Sequence, residues 1–224
     1  MDLITIFKMK TKLNLQHFIF PALFILLLAL IEYLEFYWEV RFVKYGVLPR
    51  TFEGLKGILL SPLIHSDWKH LTNNAIPLFV LISTLAYFYR SIANEVFLWS
   101  WLMSGIWLWA IGRPSFHIGA SGLVYALASF LFFSGFIRKH TRLMAISMFV
   151  VFLYGGMIWG IFPMQDHISW EGHLSGGFAG LILAYWFKEN GPPKQIYQYE
   201  IDELLEEAEE EQQYHYDYKE KEKG

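Results

Sequence analysis

His117-Ile118-Gly119-Ala120-Ser121-Gly122-Leu123-Val124-Tyr125 is the stretch on which the reading of this chain turns. It sets a hydroxyl between two glycines where an apolar run begins. From Ile118 to Ile137 no residue is charged, and at 1.5 Å per residue such a run spans about 30 Å as a helix, enough to cross a bilayer. Ser121 is thereby expected at one end of a spanning helix. The glycines on either side leave its oxygen unshielded and allow a second backbone to come close. Tyr125 follows one turn later on the same face. Taken by itself, the stretch also fits a small-residue helix-packing site that ends in a serine.

Composition narrows the class. Of the 224 residues, 54% are hydrophobic and 19% aromatic, and the formal net charge is −3. A soluble domain of this length does not carry so many long uncharged runs. No basic surface points to nucleic acid. Cysteine is absent, which excludes a thiolate nucleophile, a disulfide framework and cysteine metal sites.

Outward from the serine, the sequence predicts six spanning helices. Lys8, Lys10 and Lys12 precede the first, which runs from Phe18 to about Trp38 and ends in the aromatic group Tyr33, Phe36, Tyr37 and Trp38. Its apolar core is too long for a signal peptide, and no small-residue cleavage site follows. Residues 39–64 read equally as a structured loop dipping into the interface or as an amphipathic connector. The second helix is predicted from Trp68 to Tyr89, with Pro77 as a kink, and the third from Val96 to Ile111. The fourth carries Ser121. The fifth is expected from Leu143 to Phe162, with Gly155, Gly156 and Gly160 for close packing. The sixth, Gly172 to Phe187, is only about 24 Å long, which suits the centre of a bundle. Residues 1–190 therefore form the expected membrane domain. Residues 191–224 are expected to be an acidic, largely disordered cytoplasmic tail, with an amphipathic helix near Ile201 to Glu211. Lys and Arg counts place both termini in the cytoplasm.

Polar side chains at membrane depth are costly and tend to mark function. Here they gather at the starts of the even-numbered helices: His65, His70 and Asn74 at the second, Gly119 and Ser121 at the fourth, Glu171 and His173 at the sixth. In a six-helix chain all three starts lie on one side of the membrane. His70 and Asn74, four apart, share a face and can both donate hydrogen bonds. Gly176 and Gly180 continue the face of His173, and Gly122 and Ala126 offer a matching smooth face on the serine helix. Packed together, these faces would bring a histidine to Ser121 to take up its proton. No Asp or Glu has an evident claim to orient that histidine; Tyr125, packed on the imidazole, is the expected substitute.

His65-(x4)-His70-(x3)-Asn74, then Gly119-Ala120-Ser121-Gly122 with Tyr125, then His173-(x2)-Gly176-(x3)-Gly180 resemble, in order and spacing, the rhomboid family of intramembrane serine proteases. The likeness spans about residues 15–190, and Tyr45-Gly46-Val47-Leu48-Pro49 looks like the family's first-loop region. It implies an all-α polytopic membrane protein, a six-transmembrane-helix rhomboid-like bundle with a water-filled cavity open to the outer face. By that likeness Ser121 is the nucleophile and His173 the general base. His70, Asn74 and the Ser121 N–H bind the oxyanion, and Tyr125 supports the imidazole. Gly119, Gly122, Gly176 and Gly180 complete the motifs. The resemblance implies substrates that are single-pass or other transmembrane proteins, cut within the lipid bilayer near the outer face without metal or cofactor. The expected location is a bacterial plasma (inner) membrane. Two features depart from the pattern: a Trp-Arg pair is missing after Trp38, and Gly172 precedes His173 where alanine is common. The other classes compatible with intramembrane polar residues are a transporter, a metal site built on His65, His70, His117 and His173, and a catalytically silent chaperone. A transport path should carry polar groups through the midplane, whereas these stop near one face. No HExxH accompanies the histidines.

Overall fold

The computed structural model describes residues 14–153, 159–163, 168–191 and 198–221. Lys8, Lys10, Lys12, Gly155 and Gly156 lie outside them. Among the described residues there are eight α-helices and no strand: α1 Gln16–Tyr37, α2 Gly57–Leu60, α3 Trp68–Phe88, α4 Ala93–Ile111, α5 Ser121–Ile137, α6 Thr141–Leu153, α7 Trp170–Trp186 and α8 Gln198–Lys221. The chain divides into two compact units, Met1–Pro192 and Pro193–Gly224.

By length and hydropathy, α1 and α3 are long and apolar enough to cross a membrane. The α5 helix and Thr141–Phe152 are apolar but shorter. On α1, Pro21, Phe24, Leu28, Glu32 and Glu35 form the buried stripe, recurring every three or four residues as one helical face must. Its opposite face leaves Leu23, Leu26, Leu30 and Phe36 more than half exposed, as expected of a surface solvated by hydrocarbon rather than water. The buried stripe ends in two carboxylates tied to the following loop. Glu35 accepts a hydrogen bond from the Phe42 N–H, and Glu32 pairs with Arg41 at 3.9 Å.

Residues 39–64 are a structured loop. Three 3-10 turns, Val43–Tyr45, Glu53–Lys56 and Ser61–Leu63, frame the short α2. Antiparallel hydrogen bonds between Val47 and His117 (2.9 and 2.8 Å) pin it to the segment before Ser121. Close backbone approach sets its shape, since a Cβ on Gly57 would overlap the backbone of Gly46 and Val47.

Helix starts follow local chemistry. Asp67 caps α3, its Oδ1 accepting the His70 N–H at 2.8 Å, and Ser169 caps α7 through the Gly172 N–H at 3.3 Å. The serine helix begins at Ser121 rather than at Ile118, because Gly119 takes φ +103° and turns the chain just before it. Pro77 lies within α3, which continues through it from Trp68 to Phe88. The fifth helix differs from the expected Leu143–Phe162. Its described part ends at Leu153, and Trp159–Ile161 is a 3-10 turn.

The α5 and α7 helices form the closest pair and stand at the centre. In lipid, helices are held together chiefly by close van der Waals packing, which small residues permit. A Cβ on Gly176 would overlap the Gly122 carbonyl oxygen, and one on Gly180 the Ala126 carbonyl oxygen. Around this pair the buried core includes Leu78, Leu81, Leu85, Leu127, Phe130 and Leu131. Tyr89 and Ser134 share a buried hydrogen bond at 2.6 Å.

The second unit contains α8. Gln198–Lys221 is helical and includes the expected helix at Ile201 to Glu211. Glu, Leu, Ala and Gln are strong helix formers, and Gln198 bonds Asp202 one turn on at 3.0 Å. Tyr199, Leu204, Leu205 and Tyr214 remain exposed on it.

Candidate active site

Three helix starts supply the polar groups of one cavity of about 860 Å³. His70, Asn73 and Asn74 come from α3, Ser121 and Tyr125 from α5, and His173 from α7. Ser121 is the first residue of α5 and Ala120, its N-cap, makes no side-chain cap bond. Its N–H is thus one of the first-turn amides that an α-helix leaves without an intrahelical acceptor.

The Ser121 Oγ lies 2.8 Å from His173 Nε2. His173 Nδ1 lies 2.8 Å from the carbonyl oxygen of Gly160. A carbonyl can only accept, so Nδ1 carries the hydrogen and Nε2 presents its lone pair to the serine O–H. The tautomer needed to take a proton from Ser121 is therefore set by a backbone oxygen and not by a carboxylate. The Tyr125 ring stacks on the imidazole, centroids 4.2 Å apart and planes within 10°. Carbonyl and phenol ring together fix the ring's edge and face.

Facing the dyad, His70 Nδ1 is 3.4 Å from the Ser66 backbone nitrogen and 3.2 Å from Ser66 Oγ. An N–H donating to Nδ1 leaves the hydrogen on Nε2, on the ring edge packed against Gly119. A Cβ at Gly119 would come within 2.7 Å of that edge, so glycine is required there both for its φ and for space. Asn74 is buried and gives one amide hydrogen to the His70 carbonyl at 3.2 Å, which leaves the second. Ser66 also donates to Asp67 Oδ2 at 2.8 Å. The His70 N–H and the Ser66 hydroxyl together hold the Asp67 carboxyl below its ordinary range.

A second polar group braces the α7 start. Glu171 is buried; its Oε1 accepts the Arg113 backbone N–H at 3.2 Å and lies 3.8 Å from Arg113 Nε. Arg113 also donates to the Ile168 carbonyl at 2.6 Å. His117 lies 3.0 Å from the Arg113 carbonyl through Nε2 and 2.6 Å from Ser169 Oγ through Nδ1. Burial pushes the His117 pKa down, which keeps the ring neutral, with Nε2–H donating to the carbonyl and Nδ1 accepting from Ser169.

All the sequence-proposed side chains reach this region: Ser121, His173, His70, Asn74 and Tyr125 line the cavity, Gly119 backs His70, and Gly122, Gly176 and Gly180 lie at the α5–α7 contact. His65 does not line it. Its ring is 1% exposed and packs edge-to-face on His70 at 5.0 Å. The Gly160 carbonyl and the Arg113–Glu171 pair were not foreseen. A carbonyl has no residue signature, and two ions 58 residues apart in the chain have no local one. Among the described residues no three His, Cys, Asp or Glu side chains are grouped to hold a metal ion.

Residues 53–190 match the family described as Rhomboid domain. An uncharacterized protein of Mycobacterium tuberculosis is 38% identical over 178 residues, covering 72% of this chain and 71% of that protein. An uncharacterized protein of Mycobacterium leprae is 33% identical over 172 residues, covering 72% and 68%. Rhomboid-like protein 11, chloroplastic, of Arabidopsis thaliana is 26% identical over 173 residues, covering 67% and 59%. The chain belongs to the rhomboid family, and it is an integral membrane protein of the intramembrane protease class.

Proposed function

With membership of the rhomboid family as premise, we propose that this protein is an intramembrane serine endopeptidase in which Ser121 is the nucleophile and His173 the general base. The observation that carries the reading is the 2.8 Å contact between Ser121 Oγ and His173 Nε2, with the other ring nitrogen on the Gly160 carbonyl. His173 takes the serine proton as Oγ attacks the scissile carbonyl of a transmembrane substrate. The oxyanion so formed is met by His70 Nε2–H, the free Asn74 amide hydrogen and the Ser121 N–H at the α5 start. His173 then returns the proton to the departing amine, releasing one product and leaving an acyl-serine. Water entering the cavity, deprotonated by the same imidazole, hydrolyses the ester.

In the proposed topology α1, α3, α4, α5, α6 and α7 are the six spans, and the cavity opens toward the outer face of a bacterial plasma membrane. Both termini and the acidic segment 191–224 lie in the cytoplasm. The starts of α3, α5 and α7 then share the outer side, which supports a cut near that surface.

The test is cleavage of a model transmembrane substrate by purified protein in liposomes. Ser121→Ala and His173→Ala are each expected to abolish cleavage, and a fluorophosphonate probe is expected to label Ser121 in the parent protein alone. Cleavage by Ser121→Ala at the parent rate would overturn the reading.

A further inference from the structure

We propose that the end of the bundle opposite the serine cavity holds a binding site for one anionic phospholipid. A second cavity, of about 210 Å³, lies between the start of α1, the end of α3 and the start of α4. That is more than ten times the roughly 10–15 Å³ a single water needs, enough for a phosphate with its glycerol carbons. Its position is opposite the dyad because α3 runs from His70 and Asn74 at one end to Leu85 and Ala86 at the other, about 17–24 Å away at 1.5 Å per residue.

The lining combines polar and apolar side chains: His17, Arg90 and Asn94, of which Arg90 and Asn94 are exposed, and Phe20, Leu85 and Phe97, of which Leu85 is buried. Arg90 is exposed and has no hydrogen-bond or ion-pair partner among the described residues. Phe20 is 48% exposed on the α1 surface and meets Phe97 edge-on at 5.2 Å, so the apolar part of the cavity opens sideways toward hydrocarbon. The acidic residue nearest in sequence, Glu95 on α4, is not part of the lining.

These features select a lipid over a soluble anion. A free phosphate could use Arg90 but would leave the aromatic side chains wet. A phospholipid fills both parts, with its phosphate at Arg90 and its first acyl carbons between Phe20 and Phe97. The charge of Arg90 selects an anionic headgroup. One basic residue at a membrane surface is worth about fivefold in affinity for anionic lipid.

The experiment is native mass spectrometry of the full-length protein released from nanodiscs that contain phosphatidylglycerol and phosphatidylcholine in equal amounts. The parent protein is expected to retain one phosphatidylglycerol in preference to phosphatidylcholine. Arg90→Gln, at an exposed position that does not threaten the fold, is expected to lower that preference about fivefold. Ala86→Leu keeps Arg90 but fills the cavity, and is expected to lose both lipids at this site. Equal retention of the two lipids by the parent, or an unchanged preference in Arg90→Gln, would overturn the proposal. So would displacement of phosphatidylglycerol by inorganic phosphate, which would mark the cavity as a site for soluble anions.

Discussion

Gly176→Ala is the sharpest probe of how the bundle positions its dyad. The added Cβ would overlap the Gly122 carbonyl oxygen and lie 3.2 Å from the Ala126 nitrogen. Both obstacles are α5 backbone, which cannot rotate away as a side chain can. Relief requires α5 and α7 to part by about 1 Å, since packed interiors hold no slack of that size. Ser121 and His173 sit on those two helices, one turn or less from the contact. Their 2.8 Å separation would then open to nearly 4 Å, past the limit of a hydrogen bond. A misplacement of about 1 Å between reacting groups costs on the order of 10²-fold in rate. Gly177 is the internal control, because a Cβ there meets nothing within 4 Å, and alanine at a helical glycine gains up to about 1 kcal/mol of helix propensity. The assay is steady-state cleavage of a transmembrane substrate in liposomes, with fluorophosphonate labelling as a second readout of serine reactivity. Gly176→Ala is expected to lose on the order of 10²-fold in kcat with both readouts falling together, and Gly177→Ala to match the parent. Parent-like activity in folded Gly176→Ala would refute the close-packing account of dyad geometry.

Three further outcomes are expected. His70→Ala and Asn74→Ala, at the proposed oxyanion donors, should each lower kcat by about 10²–10³-fold while fluorescence-monitored substrate binding changes little. Loss of binding instead of turnover would reassign them. Glu171→Gln removes the buried charge that faces Arg113 and should lower the thermal midpoint modestly, by about 1 kcal/mol of stability, because the Arg113 side chain is 33% exposed and water takes over part of the lost attraction. An unchanged midpoint would deny the pair a structural role. Acid should destabilise the fold through His65 and His117. Burial lowers the His65 pKa from 6.5 to about 3 and shifts His117 in the same direction. The unfolded chain therefore binds more protons than the folded one below pH 6.5, so the stability of the fold is complete above that pH and declines as pH falls toward 3. Thermal midpoints measured from pH 7 to pH 4 should fall, and the fall should be shallower in His65→Asn. A midpoint that rises on acidification would contradict the sign.

Much of the architecture was readable from local pattern. Long uncharged runs mark α1, α3 and α5 because a bilayer admits only segments whose backbone bonds are satisfied internally. His70, Asn74, Ser121 and His173 could be grouped on one face by counting helices, since alternate starts in a serpentine bundle share a side. Glycine at positions 176 and 180 signalled close approach because its missing side chain is a property of the residue itself. Element ends were less legible. The turn at Gly119 that delays α5 to Ser121 depends on a φ of +103°, and the His70 ring of another helix fills the space a side chain there would need.

The sequence by itself determined which segments are apolar enough to enter a membrane, which polar residues interrupt them, and in what order. Those properties belong to single residues and their near neighbours. Only the tertiary structure decided that a hydroxyl and an imidazole stand 2.8 Å apart and that a backbone carbonyl at Gly160 selects the imidazole tautomer. It also decided that Arg113, which lines the cavity, meets Glu171. Such pairings join residues far apart in the chain, and their distances are set by how whole helices pack.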